Sequence, residues 1–248
     1  MANIIEIRNL SFSYDKRNHV LEDLNIDILE NHIIALLGKN GCGKSTLIDC
    51  ILGFHEYSGS IFVSKKEVKE YSEKELAKNI SFIPQSTQIN IDFSIRDFIS
   101  FGRNPHKKLF EGLNNDDYQM IHEAAEICGI TELLNQDINK VSGGERQLAF
   151  LARSLVQDSK IIIMDEPTSS LDFGKQQNFF KLLLELKEKG KTVIFTTHNP
   201  NYLNELGIDI YAMKNKQIAK LSSLTLDDVN AIYEDEFMKN GESFKFRI

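Results

Sequence analysis

No stretch of this chain approaches the ~20 consecutive apolar residues that a membrane-crossing helix requires. Residues 1–10 carry Glu6 and lack the apolar core of a secretory signal. Together these absences predict a chain that is soluble by itself, whatever its partners. A basic excess is missing too: 29 Lys and Arg against 36 Asp and Glu leave a formal net charge of −7. That excludes the usual electrostatic footprint of nonspecific nucleic-acid binding and of unaided docking on anionic lipid, so no nucleic-acid partner is expected. Cysteine is scarce. Cys42, Cys50 and Cys128 have neither metal-ligand spacing nor the pattern of a secreted disulfide framework, and read as reduced thiols of a cytosolic chain. Without internal repeats or low-complexity tracts, the 248 residues form one large domain, or one domain with subdivisions, long enough to bury a core.

What is present centres on Gly38-Lys39-Asn40-Gly41-Cys42-Gly43-Lys44-Ser45-Thr46. An apolar run, Ile33 to Leu37, precedes it as a buried strand, and Thr46 to Leu52 follows with helical periodicity. Strand, glycine loop, helix is the setting of a phosphate-binding loop. Gly38, Gly41 and Gly43 let the backbone turn its N–H groups inward with no Cβ in the way. The new helix adds unpaired N–H groups and the positive end of its dipole. Lys44 then reaches β- and γ-phosphates, and the Ser45 hydroxyl is a ligand for Mg²⁺. A chance match in a chain of this length is on the order of one in a hundred, so nucleotide binding is preferred over a plain glycine turn. Cys42 lies inside this loop, where alkylation would block binding.

The rest of the chain sorts into three stretches. Leu10, Phe12 and Tyr14 share one face of an alternating strand; a polar stretch from Asp15 to His19 leads to a second strand at roughly Leu24 to Ile28. Ile61 to Val63 and Ile80 to Ile83 add short strands, suggesting an antiparallel sheet beside the nucleotide-binding core. From Ser86 to about Gln157 the pattern is helical: Ser94 with Asp97 caps one helix, and Asp116 caps another running to Cys128, with Met120, Ile121, Ala124, Ile127 and Cys128 on its buried face. Ile161 to Met164 and Val193 to Phe195 are continuous apolar runs typical of parallel strands covered on both sides, joined by a helix from Phe173 to Lys189 that Gly190 ends. The fold expected is α/β: a parallel-sheet core, an N-terminal antiparallel β subdomain and an inserted helical subdomain.

Two further constellations carry chemistry. Asp165 and Glu166 sit at the C-terminal end of the Ile161 strand, the edge where ligands lie in open α/β sheets. Asp165 suits a Mg²⁺ site, and Glu166 suits a group that orients or deprotonates an attacking water; a loop pair capping the next helix is the plainer alternative. Ser142-Gly143-Gly144-Glu145-Arg146-Gln147 opens a helix with Leu148, Leu151, Ala152, Leu155 and Val156 along one face. Ser142 and Glu145 have capping-box spacing, and the two glycines allow close backbone approach, so this end is either a simple cap or a second anion-binding helix N-terminus.

In this order, Gly38 to Thr46, Gln85, Ser142 to Gln147, Ile161 to Glu166, Ser170-Leu171-Asp172 and His198 resemble the ATP-binding subunit of an ABC transporter. The resemblance implies an ATPase domain over residues 2–225, a helical subdomain at about 86–157 and a tail at 226–248. It implies ATP and Mg²⁺ as cofactors. It further implies a head-to-tail homodimer in which each ATP lies between the phosphate loop of one copy and Ser142, Gly143 and Gly144 of the other. Integral membrane permease subunits would be its partners at the cytoplasmic side of the cell membrane, and an extracytoplasmic solute-binding protein would act through them.

Residue by residue, Lys44 with the backbone of Gly38, Asn40, Gly41, Cys42, Gly43 and Thr46 would bind phosphates. Ser45, Gln85 and Asp165 would surround Mg²⁺, and Glu166 would be the general base. His198 would contact the γ-phosphate, Asp172 would signal across the dimer, and Tyr14 would stack on adenine. Local chemistry alone also allows Asp172 as an N-cap, His198 as a turn residue, Gln85 as an ordinary loop amide and Tyr14 as the end of an inward stripe. Phe101-Gly102-Arg103-Asn104-Pro105-His106, Ser170 to Gly174 and the tail from Leu224-Thr225 to Ile232-Tyr233 are similar to ATPases of importers for iron chelates, haem and cobalamin, with molybdate importers nearby. Asn31-His32 departs from the usual Gly-Glu turn, and Asn199 stands where Asp is commoner. A soluble ABC-type ATPase of macromolecular assembly, such as iron-sulfur cluster machinery, is the alternative; long coiled coils, a duplicated cassette or a basic extension would favour it, and none occurs. A GTPase or small-molecule kinase fits less well, since Asn215-Lys216 is followed by Gln217-Ile218, not by the guanine-reading pattern.

Overall fold

A computed structural model describes residues 2–15, 17–85, 92–108, 110–169, 171, 173–201, 203–204, 207–233, 237–240 and 243–246. The chain divides into two compact units, residues 1–71 with 183–248, and residues 72–182.

The first unit holds two larger sets of paired strands and a terminal hairpin. β1 (Asn3–Ser13) and β2 (His19–Leu29) pair antiparallel and are joined by β4 (Ser58–Val63) and β5 (Lys66–Glu67) in the order β2-β1-β4-β5. Alternation decides which face of this sheet is covered: Ile5, Ile7, Leu10, Leu21, Leu24, Ile61 and Val63 are buried, while Glu22 and Asp27 face out. The second sheet has β3 (Ile33–Leu37) between β8 (Thr192–Thr197) and β9 (Asp209–Lys214), parallel to both, with β10 (Gln217–Leu221) antiparallel on β9. Every residue of β3 and β8 is buried, as expected of strands covered on both faces. α1 (Lys44–Ile51) follows β3, and α7 (Leu226–Tyr233) and the hairpin of β11 (Phe237–Asn240) and β12 (Ser243–Phe246) close the chain.

The second unit contains α2 (Glu73–Asn79), β6 (Ile80–Ile83), α3 (Ile95–Ser100) with a 3-10 extension from Phe101 to His106, α4 (Asn115–Ile127), α5 (Gly143–Val156) and β7 (Ile161–Met164). α6 (Phe173–Glu188) carries the division between the units. β6 and β7 are parallel, with Ile80 opposite Ile161, and the Ser159 hydroxyl bonds Ser81 at 3.0 Å and the Ile161 carbonyl at 2.8 Å beside them.

The parallel core, the antiparallel sheet and the helical stretch are those expected from the sequence pattern, except that Ile80–Ile83, expected in the antiparallel sheet, pairs parallel with β7. Several local expectations are corrected. The cap of α4 is Asn114, whose side chain accepts from the Asp117 amide while Asp117 accepts from Asn114, a reciprocal box that Asp116 is one position too late to form. Ile127 is exposed because it falls off the buried stripe of Ile121, Ala124 and Ala125. Tyr14 lies beyond the end of β1 and is 64% exposed, so it does not continue the inward stripe of Leu10 and Phe12. β2 starts at His19, well before Leu24, and helix begins at Glu73, ahead of Ser86, under a Ser72–Glu75 capping box. Among the described residues no helix is long and apolar enough to cross a membrane.

Candidate functional site

In the first unit the phosphate loop is shaped by contacts that only glycine permits. A Cβ on Gly38 would stand 2.6 Å from the Cys42 Sγ and 2.7 Å from the Met213 carbonyl oxygen. Gly41 and Gly43 have φ of 79° and 106°, backbone that L side chains rarely adopt, and Gly43 is the residue from which α1 springs. Gly38 donates its amide to the Thr197 carbonyl at 3.3 Å, which ties the loop to the end of β8. Lys44 is 5% exposed and its ammonium donates to the carbonyls of Gly38 (2.8 Å) and Lys39 (3.1 Å), so its charge is held inside the loop's curve. Ser45 is exposed on the first turn of α1, whereas Thr46 is buried and its hydroxyl shares a hydrogen bond of 3.2 Å with Tyr14. Burial pushes the Cys42 thiol above its ordinary range, which the Lys44 charge only partly offsets, so the thiolate that alkylating agents attack is scarce at neutral pH.

The Tyr14 ring stands edge-on to Phe12 (4.8 Å between centroids) and to His55 (5.5 Å), while Phe12 and His55 stack on each other. This cluster leaves most of the tyrosine ring exposed and able to receive a flat apolar partner. His198, the first residue past β8, is exposed, and its backbone carbonyl accepts from the Tyr233 hydroxyl at 2.6 Å.

In the second unit Asp165 and Glu166 follow β7. Asp165 extends the ladder by donating its amide to Ile83, and both carboxylate residues are at most 9% exposed. Glu166 has φ of +46°, a left-handed conformation that costs a non-glycine residue about 1 kcal/mol or more. The exposed Gln85 donates its amide N–H to Glu166 at 3.4 Å, which turns its amide oxygen away from the carboxylate. Among the described residues no group of three His, Cys, Asp or Glu gathers at one point.

The Ser142 segment forms a full capping box: the Ser142 hydroxyl accepts from the Glu145 amide, and Glu145 accepts from Ser142 N–H at 2.8 Å and its hydroxyl at 2.7 Å. The bonds from Ser142 hold the Glu145 carboxyl below the usual carboxylate range. Ser142 and Gly143 are exposed, while a Cβ on the buried Gly144 would press on Leu171 at 3.2 Å. Arg146 reaches back to the carbonyls of Ile138 (3.0 Å), Asn139 (3.4 Å) and Val141 (3.2 Å), fixing the approach to the helix. No local pattern assigned Arg146 this work.

The far end of the same helix is also clamped. Arg103 donates to the Val156 carbonyl at 3.0 Å and to Asp117 at 2.8 Å; His106 bonds the Gln157 carbonyl at 2.8 Å. A Cβ on Gly102 would meet the Arg153 carbonyl at 2.3 Å. The Phe101–His106 motif therefore satisfies carbonyls that the C-terminus of α5 leaves without helical partners. The Ser170 and Asp172 readings lie outside the described residues.

Within the first unit the structure brings the Gly38–Thr46 loop together with Tyr14 and with the end of β8; within the second it brings Gln85 together with Glu166 beside Asp165. A phosphate loop, a buried carboxylate pair after a core strand and a capped glycine helix start, all in one chain, define a nucleotide-hydrolysing cassette. The chain belongs to the ABC transporter family, whose model matches residues 21–169. It is thus an ATP-binding cassette that hydrolyses ATP.

Among its relatives, the molybdate import ATP-binding protein MolC of Haemophilus influenzae is 32% identical over 251 residues, covering 99% of this chain and 94% of that one. The iron(3+)-hydroxamate import ATP-binding protein FhuC of Bacillus subtilis is 31% identical over 238 residues, covering 94% and 88%. A solved metal-chelate type ABC transporter in an inward-facing conformation superposes with a TM-score of 0.83 at 31% identity, over 98% of this chain and 96% of that chain.

Proposed function

We propose that the chain is the energy-coupling ATPase of an importer whose solute is an iron-siderophore, haem, cobalamin or a related metal chelate or oxyanion. The observation that carries this reading is likeness along nearly the whole length to import subunits named for molybdate and for iron hydroxamate, joined by likeness to a metal-chelate type transporter. On this reading residues 2–225 form the ATPase domain with a helical subdomain at about 86–157, and 226–248 form a tail. The subunit works at the cytoplasmic side of the cell membrane on integral membrane permease subunits, and a solute-binding protein outside delivers to them.

Two copies associate head to tail. Each ATP lies between the Gly38–Thr46 loop of one and Ser142, Gly143 and Gly144 of the other, so two helix N-termini share one triphosphate. That sharing gives closure a reason to depend on ATP, because the γ-phosphate is the group both ends attract. Lys44 exchanges the carbonyls of Gly38 and Lys39 for phosphate oxygens, and the amides from Asn40 to Thr46 complete the cradle. Ser45, Gln85 and Asp165 are the residues that would hold Mg²⁺, which when bound neutralises charge on the β- and γ-phosphate oxygens. Glu166 accepts the proton of the attacking water, His198 contacts the γ-phosphate, Tyr14 lies against adenine, and Asp172 signals across the dimer.

Purification of the full chain from detergent-solubilised membranes tests the assignment. An integral membrane protein is expected in the purified complex, in fixed ratio to the ATPase and raising its turnover. Recovery with soluble proteins alone would overturn the importer reading.

A further inference from the structure

We infer that Tyr233, on the last turn of α7, is a positioning residue for His198 and thereby sets the rate of ATP turnover; the inference rests on the reading that His198 works at the γ-phosphate. His198 is exposed and lies just past the buried strand β8, so its direction depends on the two peptide planes that flank its Cα. The plane before it is pinned by the phosphate loop, since the Thr197 carbonyl accepts from the Gly38 amide at 3.3 Å. The plane after it is pinned from both edges. Its carbonyl, that of His198, accepts from the Tyr233 hydroxyl at 2.6 Å, and its N–H, that of Asn199, donates to the Thr197 hydroxyl at 3.0 Å. Tyr233 supplies the anchor that comes from outside the loop.

α7 is itself fixed in place without that bond. Asn204 exchanges two hydrogen bonds of 2.8 Å with the backbone of Leu224, Thr225 and Asp228 cap the helix, and Lys214 donates to the Ala231 carbonyl at 2.6 Å. Val229, Ile232 and Tyr233 are buried. Ile232 also lines a cavity of about 350 Å³ that has Lys39, Asn40, Gly41 and Cys42 on its wall. One turn of α7 therefore borders the phosphate loop with one residue and holds the histidine loop with the next. The tail is in this way part of the apparatus that orients a group toward the nucleotide.

Tyr233→Phe removes the hydroxyl and keeps the buried ring. Steady-state and single-turnover ATP hydrolysis by the full chain in its transporter complex is measured for this variant, for His198→Ala and for the double variant, with thermal unfolding alongside. Loss of one hydrogen bond at this site lowers kcat roughly three- to tenfold. The KM for ATP stays within about twofold, because the phosphate cradle is untouched. The melting temperature moves by no more than about 2 °C. In the His198→Ala background the Tyr233 change has less than about a twofold effect, as expected when one residue acts through the other. Wild-type kcat in Tyr233→Phe overturns the inference, and so does an equal loss with and without His198. Wild-type hydrolysis by His198→Ala would instead overturn the underlying role of the histidine, and the inference with it.

Discussion

Replacing Asp117 by alanine removes in one step the carboxylate shared by Arg103 and Lys107 and the acceptor for the Asn114 amide. The Asp117 side chain is 2% exposed, and those of Arg103 and Lys107 are 14% and 10% exposed, so both cations would be left in poorly solvated surroundings. Removing one partner of such a buried set costs about 3–5 kcal/mol. Glu111 still faces Lys107 at 3.6 Å and the Val156 carbonyl still receives Arg103, which favours the lower end. At about 2–4 °C per kcal/mol for a chain of this size, 3 kcal/mol lowers the melting temperature by about 6–12 °C.

Titration supplies a second reading of the same cluster. Burial pushes the Asp117 carboxyl up, but the Asn114 amide, Lys107 and Arg103 outweigh it and hold the group at about 2, below its ordinary 3.8. A depressed carboxyl stabilises the fold fully above the ordinary value and loses that contribution as pH falls from about 4 to about 2. Thermal unfolding by circular dichroism across that window is expected to fall more steeply for wild type than for Asp117→Asn. A melting loss under about 2 °C for the alanine variant, or parallel acid profiles, would refute the claim that this cluster secures the C-terminus of α5.

The nucleotide site yields three further outcomes. Gly38→Ala forces a methyl group against the Cys42 sulfur and the Met213 carbonyl, and is expected to cost about 1–3 kcal/mol in urea unfolding together with ATP affinity. Lys44→Ala is expected to weaken ATP binding roughly 10- to 100-fold in equilibrium titration, the worth of a charge-assisted contact; unchanged affinity would refute the cradle assignment. Glu166→Gln is expected to keep ATP affinity while slowing hydrolysis by about 10²-fold or more, and turnover near wild type would remove Glu166 from the role of base.

Legibility in the sequence followed the range of the interaction. The strand, glycine loop and helix around Gly38–Thr46, the carboxylates after β7 and the Ser142 capping box are short contiguous patterns whose geometry is local, and their local structure is the one expected. The Phe101–His106 motif was visible only as a resemblance, because its partners Asp117, Val156 and Gln157 are remote in sequence and no periodicity links them. For the same reason the Arg146 contacts and the 35-residue reach from Tyr233 to His198 could not be anticipated. The positive φ of Glu166 is invisible to composition, since nothing in Asp-Glu-Pro announces a left-handed residue. Asn215 and Lys216 also have positive φ and turn β9 into β10, a hairpin whose two-residue turn carries no glycine to announce it.

The most direct measurement of the central claim is the mass of the full-length Glu166→Gln variant in solution, by light scattering, in its transporter complex and as the separate chain, with and without MgATP. Joint clamping of ATP by the Gly38–Thr46 loop and the Ser142–Gly144 turn predicts paired ATPase chains held together by MgATP and dispersed when Lys44 is also replaced by alanine. An association state that ignores MgATP in both settings would contradict it.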